Sequence, residues 1–206
     1  MNRIQQIQYL IQVLLKEMPA YQEQARAFPQ DELSRRRLLR SLMNVRPPMP
    51  LDPSFLAVQD ALLSAEREEK GVVEADALPE RPGHPGIALW QGDITRLKAD
   101  AIVDADNDRL LGCFVPCHGC IDNAIHSAAG LQLRDECSRL MEQQGRPEPT
   151  GQAKLTGGYN LPARYVLHTV GPIIHGRVTP QDRELLASCY RSCLKLASEH
   201  ELQSVA

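Results

Sequence analysis

The chain has 206 residues, a formal net charge of -3 and 43% hydrophobic residues. This length is enough for one domain with a sizeable appendage, and its core needs neither disulfides nor a metal. The charge argues against nucleic-acid binding, which requires a basic stripe. No segment has the roughly 20 apolar residues that span a membrane. Glutamines interrupt the apolar N-terminus, so we expect no export signal, a cytoplasmic protein and reduced cysteines.

The first part of the chain is predicted to be helical. Apolar residues recur there at three- and four-residue intervals, the spacing of amphipathic helices. Asp52 and Pro53 suit an N-cap and a first helical position. Helices are placed over residues 2–17, 31–45 and 52–71, so that residues 1–71 form an N-terminal helical region. We expect this region to pack on the rest of the protein; docking of a modified partner is the alternative.

Residues 72–86 are rich in proline and glycine and are interpreted as a connector. Residues 87–206 alternate between strand-like and helix-like segments, which predicts an α/β layered domain. The strands are predicted over residues 87–94, 99–106, 153–159 and 165–171, and the helices over residues 121–145 and 180–201. The chain stops where another strand would begin, so we expect the last strands of this domain to be missing.

The stretch GCFVPCHGC, from Gly112 to Cys120, holds three cysteines and a histidine. Thiolate and imidazole are donors that zinc prefers, and three protein ligands leave one coordination position open for chemistry. Cys117 and His118 are neighbours, and neighbouring side chains diverge. We therefore predict one Zn²⁺ per chain, bound by Cys113, His118 and Cys120. Buried reduced cysteines are the alternative interpretation of this pattern.

The other cysteines and two of the histidines have simpler interpretations. Cys189 and Cys193 lie one turn apart on a predicted helix, and Cys137 lies on another. All three are expected to be buried free cysteines. His126 and His168 are expected to pack within a helix and at a strand end.

Acidic residues follow the predicted strand 99–106. Asp104, Asp106 and Asp108 alternate as they do at the start of a calcium loop. Such a loop needs glycine at its sixth position and glutamate at its twelfth, where this chain has Arg109 and Val115. Calcium binding by this loop is therefore rejected.

Several segments, in this order, resemble the macrodomain, an ADP-ribose-binding α/β/α module: GDIT, DAIVDADN, LLGCFVPCHGCIDNAIHSAAG and LTGGYNLPARYVLHTVGP. The segment GCFxPxHxCIDNAIH, with the upstream SLMNVRPPMP and FLAVQDALL, is similar to the zinc-containing branch of that family. This branch occurs in bacterial operons with a sirtuin-type ADP-ribosyltransferase and a lipoyl-carrier protein. The resemblance implies a three-layer α/β/α sandwich with a mixed sheet.

The resemblance also implies an activity, the hydrolysis of protein-linked ADP-ribose. Zinc would be bound by the residues that match Cys113, His118 and Cys120. It would either activate a water for attack on the anomeric carbon or orient a ribose hydroxyl. The expected substrate is mono-ADP-ribose on an acidic side chain of a lipoyl-carrier protein resembling the glycine-cleavage H protein. The sirtuin-type transferase would be the functional partner.

Ligand-binding residues are implied in the same way. Asp93 would receive the adenine amine, and Asn107 would meet the distal ribose. A helix N-terminus presents unpaired N–H groups, so it can bind a pyrophosphate without a basic patch. The residues expected to contact the ligand are Asp93, Ile94, Asn107, Gly112, Gly119, Ile121, Asp122 and Asn123.

The chain departs from the family pattern at two points. It reads DADN where the family usually reads NAAN. We hypothesise that Asp104 and Asp106 act in catalysis beside Asn107, by stabilising positive charge on the ribose. We also expect the second phosphate loop, of the Ser-Thr-Gly type, to be missing with the last strands, which would weaken activity. The alternatives are a module that binds ADP-ribose without cleaving it and a domain whose cysteines only pack.

Overall fold

The N-terminal region is helical, as predicted. The computed structural model describes all 206 residues. Four helices occupy this region: α1 (Arg3–Glu17), α2 (Gln22–Arg26), α3 (Glu32–Val45) and α4 (Pro53–Lys70). Asn2, Asp31 and Asp52 cap α1, α3 and α4, because their side-chain oxygens accept hydrogen bonds from first-turn backbone N–H groups. No helix of the chain combines the length and hydropathy that a bilayer crossing demands.

The N-terminal helices bury a common apolar core. Leu10, Ile11 and Leu14 of α1 are fully buried, and α1 packs against α3 and α4. Leu131, from the second half of the chain, joins the same core. The helical region is therefore packed onto the α/β part.

The α/β part is a three-layer sandwich around a mixed sheet, as the resemblance implied. Its elements are β1 (Val73–Glu74), β2 (Leu97–Lys98), β3 (Ala101–Asp106), α5 (Ile121–Ala129), α6 (Leu131–Gln144), β4 (Ala153–Gly157), β5 (Tyr165–Val170) and α7 (Pro180–Glu199). In the central sheet β5 lies between β3 and β4, parallel to β3 and antiparallel to β4. One face packs on α5 and α6, the other on α7. Cys137, Cys189 and Cys193 are buried and free, as predicted.

The last residues pair with the outer edge of β3. Ala101 bridges Val205 in parallel. The Ala206 N–H donates to the Ala101 carbonyl at 3.0 Å, and the Val103 N–H donates to the Ala206 carbonyl at 2.7 Å. Because β5 lies on its other side, β3 is hydrogen-bonded along both edges.

The predicted strand over residues 87–94 does not form. Only Ala88 makes a β-bridge, and the side chains of Ile87 and Leu89 are exposed. A strand needs neighbours along its backbone and a buried face for its apolar side chains, and this segment has a single bridge and exposed apolar side chains. The predicted connector over residues 72–86 instead carries β1, which pairs with β2.

The single helix predicted over residues 121–145 is two helices. Gly130 separates them with a φ of 99°, a conformation that favours glycine. Gln59 of α4 reaches this break, where its Oε1 accepts a hydrogen bond from the Leu131 N–H at 3.0 Å. A Cβ at Gly130 would lie 2.6 Å from Gln59 Nε2. The break therefore allows α4 to contact the backbone between α5 and α6.

Candidate metal and ligand site

The cysteine-rich loop connects the end of β3 to the start of α5. Gly112 has a φ of 77°, and a Cβ there would lie 2.9 Å from the ring of His126 on α5. Arg134 of α6 donates a hydrogen bond to the Leu111 carbonyl at 2.7 Å, and its guanidinium lies 4.4 Å from the centre of the Phe114 ring. These contacts hold the loop against α5 and α6.

The three predicted zinc ligands converge in this loop. One donor atom from each of Cys113, His118 and Cys120 lies within 4.8 Å of the other two. The distance from Cys113 Sγ to His118 Nδ1 is 3.5 Å. Zinc bonds of about 2.0 Å to nitrogen and 2.3 Å to sulfur place such donors roughly 3.5 Å apart at a tetrahedral angle. The residues therefore fit a zinc ion with one position left open.

Cys117 points away from these donors. Its φ is 50°, and its N–H donates to Asn44 Oδ1 on α3 at 2.9 Å. Its sulfur lies 3.3 Å from Ser41 Oγ and 3.7 Å from the Arg37 carbonyl oxygen. The geometry thus leaves Cys117 outside the donor cluster, where the sequence analysis also placed it.

Asn123 supports the loop from beneath. Its side chain is fully buried, and Nδ2 donates to the Val115 carbonyl at 3.0 Å. Arg40 of α3 donates to Asn123 Oδ1 at 2.7 Å. The Asn123 side chain therefore connects α3 to the loop, and its predicted contact with the ligand stays a prediction. The local sequence carries no sign of this role, because Arg40 is distant along the chain.

Asn107 lies at the carboxyl end of β3, beside the loop. It is exposed, and Nδ2 donates to Asp106 Oδ1 at 3.1 Å and to the Gly112 carbonyl at 3.3 Å. Asp122 Oδ2 lies 3.5 Å from the same nitrogen. Burial and then the charge of Asp106 raise the pKa of Asp122 to about 7. Asn107 is therefore held in place by Asp106 and by Gly112, the residue that precedes Cys113.

Asp104 and Asp106 are buried between the sheet and α5. His168 Nδ1 on β5 lies 3.1 Å from Asp106 Oδ2 and 3.8 Å from Asp104 Oδ2. His126 Nε2 lies 4.0 Å from Asp106 Oδ2. Neither carboxylate side chain is exposed, so the catalytic role that we hypothesised for these two acids would have to be indirect. The two histidines, predicted only to pack, contact these acids.

The buried cluster of Asp104, Asp106, His126 and His168 favours ionisation of one of its two carboxyl groups over the other. Burial, reinforced by the charges of Asp106 and Asp122, raises the pKa of Asp104 well above its usual value. Burial acts in the same direction on Asp106, but the neighbouring histidines outweigh it and lower the pKa of that residue. Burial also lowers the pKa of His126 to about 4. Asp106 is thus the carboxylate most favoured to be ionised.

The remaining predicted ligand contacts lie near the start of α5 and in the turn before β2. Gly112, the first residue of the loop, is buried, whereas Gly119 and Ile121 are exposed. Asp93 caps a 3-10 turn over Ile94–Arg96 through its contacts with Thr95, whose N–H and Oγ1 donate to Oδ1 at 3.0 Å and 2.7 Å. Asp93 lines one cavity, next to α5, and Ile94 lines another.

The cavity beside Asp93 carries a concentration of positive charge that the linear sequence does not show. It has a volume of about 130 Å³ and lies between the N-terminal helices and α5. Two acidic groups, Glu66 and Asp93, also line it. The chain is acidic overall, so only folding reveals this basic surface. The basic side chains are Arg36, Arg40, Arg67, Lys70 and Arg96.

Sequence comparisons agree with this architecture. The family model described as Macro domain matches residues 103–206. A protein-ADP-ribose hydrolase from Treponema medium is 50% identical over 200 residues, covering 96% of this chain and 76% of the relative. A protein-ADP-ribose hydrolase from Staphylococcus aureus is 51% identical over 170 residues, covering 82% of this chain and 63% of the relative. The chain thus spans about two thirds to three quarters of these relatives.

Solved structures show the same fold. The Trypanosoma brucei macrodomain is 34% identical to this chain, with a TM-score of 0.56. The match covers 85% of this chain and 70% of the Trypanosoma brucei chain. The same macrodomain in complex with ADP has a TM-score of 0.55 and 34% identity, over 82% of this chain and 72% of that one. Because the family model matches half of the chain, relatives share about 50% of its sequence and solved macrodomains share its fold, the chain belongs to the macro domain family.

Proposed function

We propose that this chain is a zinc-dependent hydrolase that removes mono-ADP-ribose from an acidic side chain of a modified protein. The observation that carries the proposal is the convergence of Cys113, His118 and Cys120 beside Asn107. The hydrolase names of the two bacterial relatives support the same activity. A three-ligand zinc ion would supply Lewis-acid chemistry, either to activate the attacking water or to orient a ribose hydroxyl.

The protein's own groups would hold the ligand. Asn107 is exposed and fixed by Asp106, so its amide is oriented to meet the distal ribose. The backbone N–H groups of Ile121 and Asp122, at the start of α5, find no acceptor within the chain. They would bind the pyrophosphate together with the loop from Gly112, including Gly119. Asn123 would assist pyrophosphate binding indirectly, because its side chain holds the backbone of this loop.

The turn before β2 would bind the adenosine end. Asp93 directs one oxygen to Thr95, which leaves its second oxygen for the adenine amine, and Ile94 follows it in the chain. The basic cavity next to Asp93 would attract the doubly negative ligand toward this face. The acidic net charge of the chain is thus compatible with an anionic ligand.

The modified protein is proposed to be a lipoyl carrier of the glycine-cleavage H type, with a sirtuin-type transferase as the enzyme that adds the ADP-ribose. This part rests on the sequence resemblance to the zinc-containing branch. It is tested separately from the chemistry, by offering the modified carrier and a modified unrelated acidic protein to the same enzyme.

The test combines bound zinc with release of ADP-ribose from the modified carrier. We expect the chain to bind zinc and to release ADP-ribose, and Cys113→Ser to lose both. Cys117→Ser is the matched control, because it removes a thiol from the same loop but not from the donor cluster. Affinity for ADP-ribose without turnover would indicate a binding module. Absence of both zinc and affinity would refute the proposal and indicate cysteines that only pack.

A further experiment tests the two extra carboxylates. Asp104→Asn and Asp106→Ala should lower turnover more than affinity for ADP-ribose. Since both side chains are buried, they would act by fixing Asn107 or through their charge, not by touching the ribose. The comparison is single-turnover hydrolysis against ADP-ribose binding for each variant. Unchanged turnover in both would exclude a catalytic contribution of these acids.

A further inference from the structure

We propose that Asp104, Asp106, His126 and His168 form a second metal site, which binds one divalent transition-metal cation. One donor atom from each of the four lies within 4.8 Å of all the others. The residues come from β3, α5 and β5, and all four are buried. This site shares no residue with the cysteine-rich loop.

The donor separations are close to those of a coordination shell. His168 Nδ1 lies 3.1 Å from Asp106 Oδ2 and 3.8 Å from Asp104 Oδ2. His126 Nε2 lies 4.0 Å from Asp106 Oδ2 and 3.6 Å from Asp122 Oδ1, a carboxylate outside the set. The other separations within the set are below 4.8 Å. Metal bonds of about 2.0 to 2.2 Å imply donor separations of roughly 3.4 Å, so side-chain shifts under about 1 Å would close the shell.

Unmet bonding capacity points to a ligand. Both carboxylate oxygens of Asp104 and both ring nitrogens of His126 lack a hydrogen-bond partner. Yet Asp104 is 0% exposed and His126 is 5% exposed. Buried polar groups are nearly always paired, and exceptions often mark an ion or a water. Protonation of Asp104 would remove its charge but would leave its O–H without an acceptor, whereas a cation satisfies both needs.

The outer contacts already select the donor atoms. Thr156 Oγ1 lies 2.9 Å from His168 Nε2, which leaves Nδ1 facing the acids. Asp106 accepts the Asn107 N–H with Oδ1 at 2.7 Å and keeps Oδ2 toward the cluster. Hydrogen bonds on the far side of a ligand fix its orientation in metal sites. The cluster has this support for His168 and for Asp106.

Two imidazoles and two carboxylates suit zinc or a similar first-row cation better than a soft metal that requires thiolates. A cation in this position would join β3 and β5 to α5. It would thereby hold Asp106, and through it Asn107, against the helix that carries the loop. The inferred role is positioning, because the buried cation would not touch the ligand.

The test is metal counting on the full chain, loaded with Zn²⁺ and separated from unbound ion by gel filtration. Wild type should hold two equivalents and Asp104→Asn one. Asp108→Asn is the matched control, since it makes the same change at an exposed residue just after β3, and it should hold two. His126→Gln repeats the test at a second ligand if Asp104→Asn does not fold.

Cobalt distinguishes the two sites. Cys113→Ser loaded with Co²⁺ should retain one equivalent whose spectrum lacks a thiolate-to-cobalt charge-transfer band. This readout does not depend on hydrolysis, so loss of the proposed activity would leave it intact. A single metal in wild type that disappears in Cys113→Ser overturns the proposal. Wild-type metal content in both Asp104→Asn and His126→Gln also overturns it, and indicates a protonated carboxyl or a buried water.

Discussion

Replacing Asn123 with alanine should loosen the cysteine-rich loop without changing any of the three proposed zinc ligands. The substitution removes a charge-assisted hydrogen bond from Arg40 at 2.7 Å and a hydrogen bond to the Val115 carbonyl at 3.0 Å. The first is worth about 1.5 to 3 kcal/mol and the second about 1 kcal/mol, so we expect a loss of roughly 2 to 4 kcal/mol in unfolding free energy. Because the lost contacts orient the loop, zinc affinity should fall by about 10- to 100-fold.

The assay is chelator competition for zinc, alongside urea unfolding of the zinc-free protein. Asn160→Ala is the matched control: Asn160 is also buried and donates to Asp60 at 2.7 Å and to the Ala129 carbonyl at 2.9 Å, at the far end of α5. It should lower stability while keeping zinc affinity. Equal zinc affinity in Asn123→Ala and wild type, or equal losses in both variants, would refute the reasoning.

Two other substitutions test the loop and the helical region. Gly112→Ala should lower zinc affinity at least as much as Asn123→Ala. The new Cβ would lie 2.9 Å from the buried His126 ring, and residue 112 has a φ of 77°, which favours glycine. Wild-type zinc affinity of this variant in chelator competition would contradict the prediction. Burial acts to raise the pKa of Glu66, but the ion pair with Arg36 outweighs burial, and the pKa is lowered. The ion pair should therefore stabilise the fold above about pH 4.5, and its contribution should be lost as the pH falls through the folded pKa of Glu66. Glu66→Gln should cost about 1 to 3 kcal/mol at pH 7 by urea unfolding, and progressively less as the pH falls below the ordinary carboxyl pKa of 4.5. Exposed Glu69→Gln should cost little across the same range.

Most elements could be predicted because their signals are local. Asp52, Pro53 and Gly71 mark both ends of α4 as the sequence suggested. Errors arose where the outcome depended on a distant partner. An apolar period continues through Gly130, and the chain breaks there at a positive φ, where Gln59 of α4 accepts the Leu131 N–H.

The candidate site divides in the same way. The convergence of Cys113, His118 and Cys120 was predictable, because the three lie within one short loop. The buried cluster was not, since it joins β3 to β5 and α5. One signal was available: Asp104 and Asp106 alternate along β3, so they share a face of the sheet. Placing His168 opposite them required the register of the parallel pair.

The N-terminal helix α3 supports the cysteine-rich loop, so the helical region does more than cover the fold. Asn44 of α3 accepts the Cys117 N–H. Arg134 of α6 donates to the Met43 and Arg46 carbonyls at 2.9 Å and 2.7 Å, and to the Leu111 carbonyl in the loop. These bonds join the end of α3 to the loop through one buried guanidinium. A shift of α3 would therefore move the cysteine-rich loop, which makes packing of the helical region a requirement of the site's geometry.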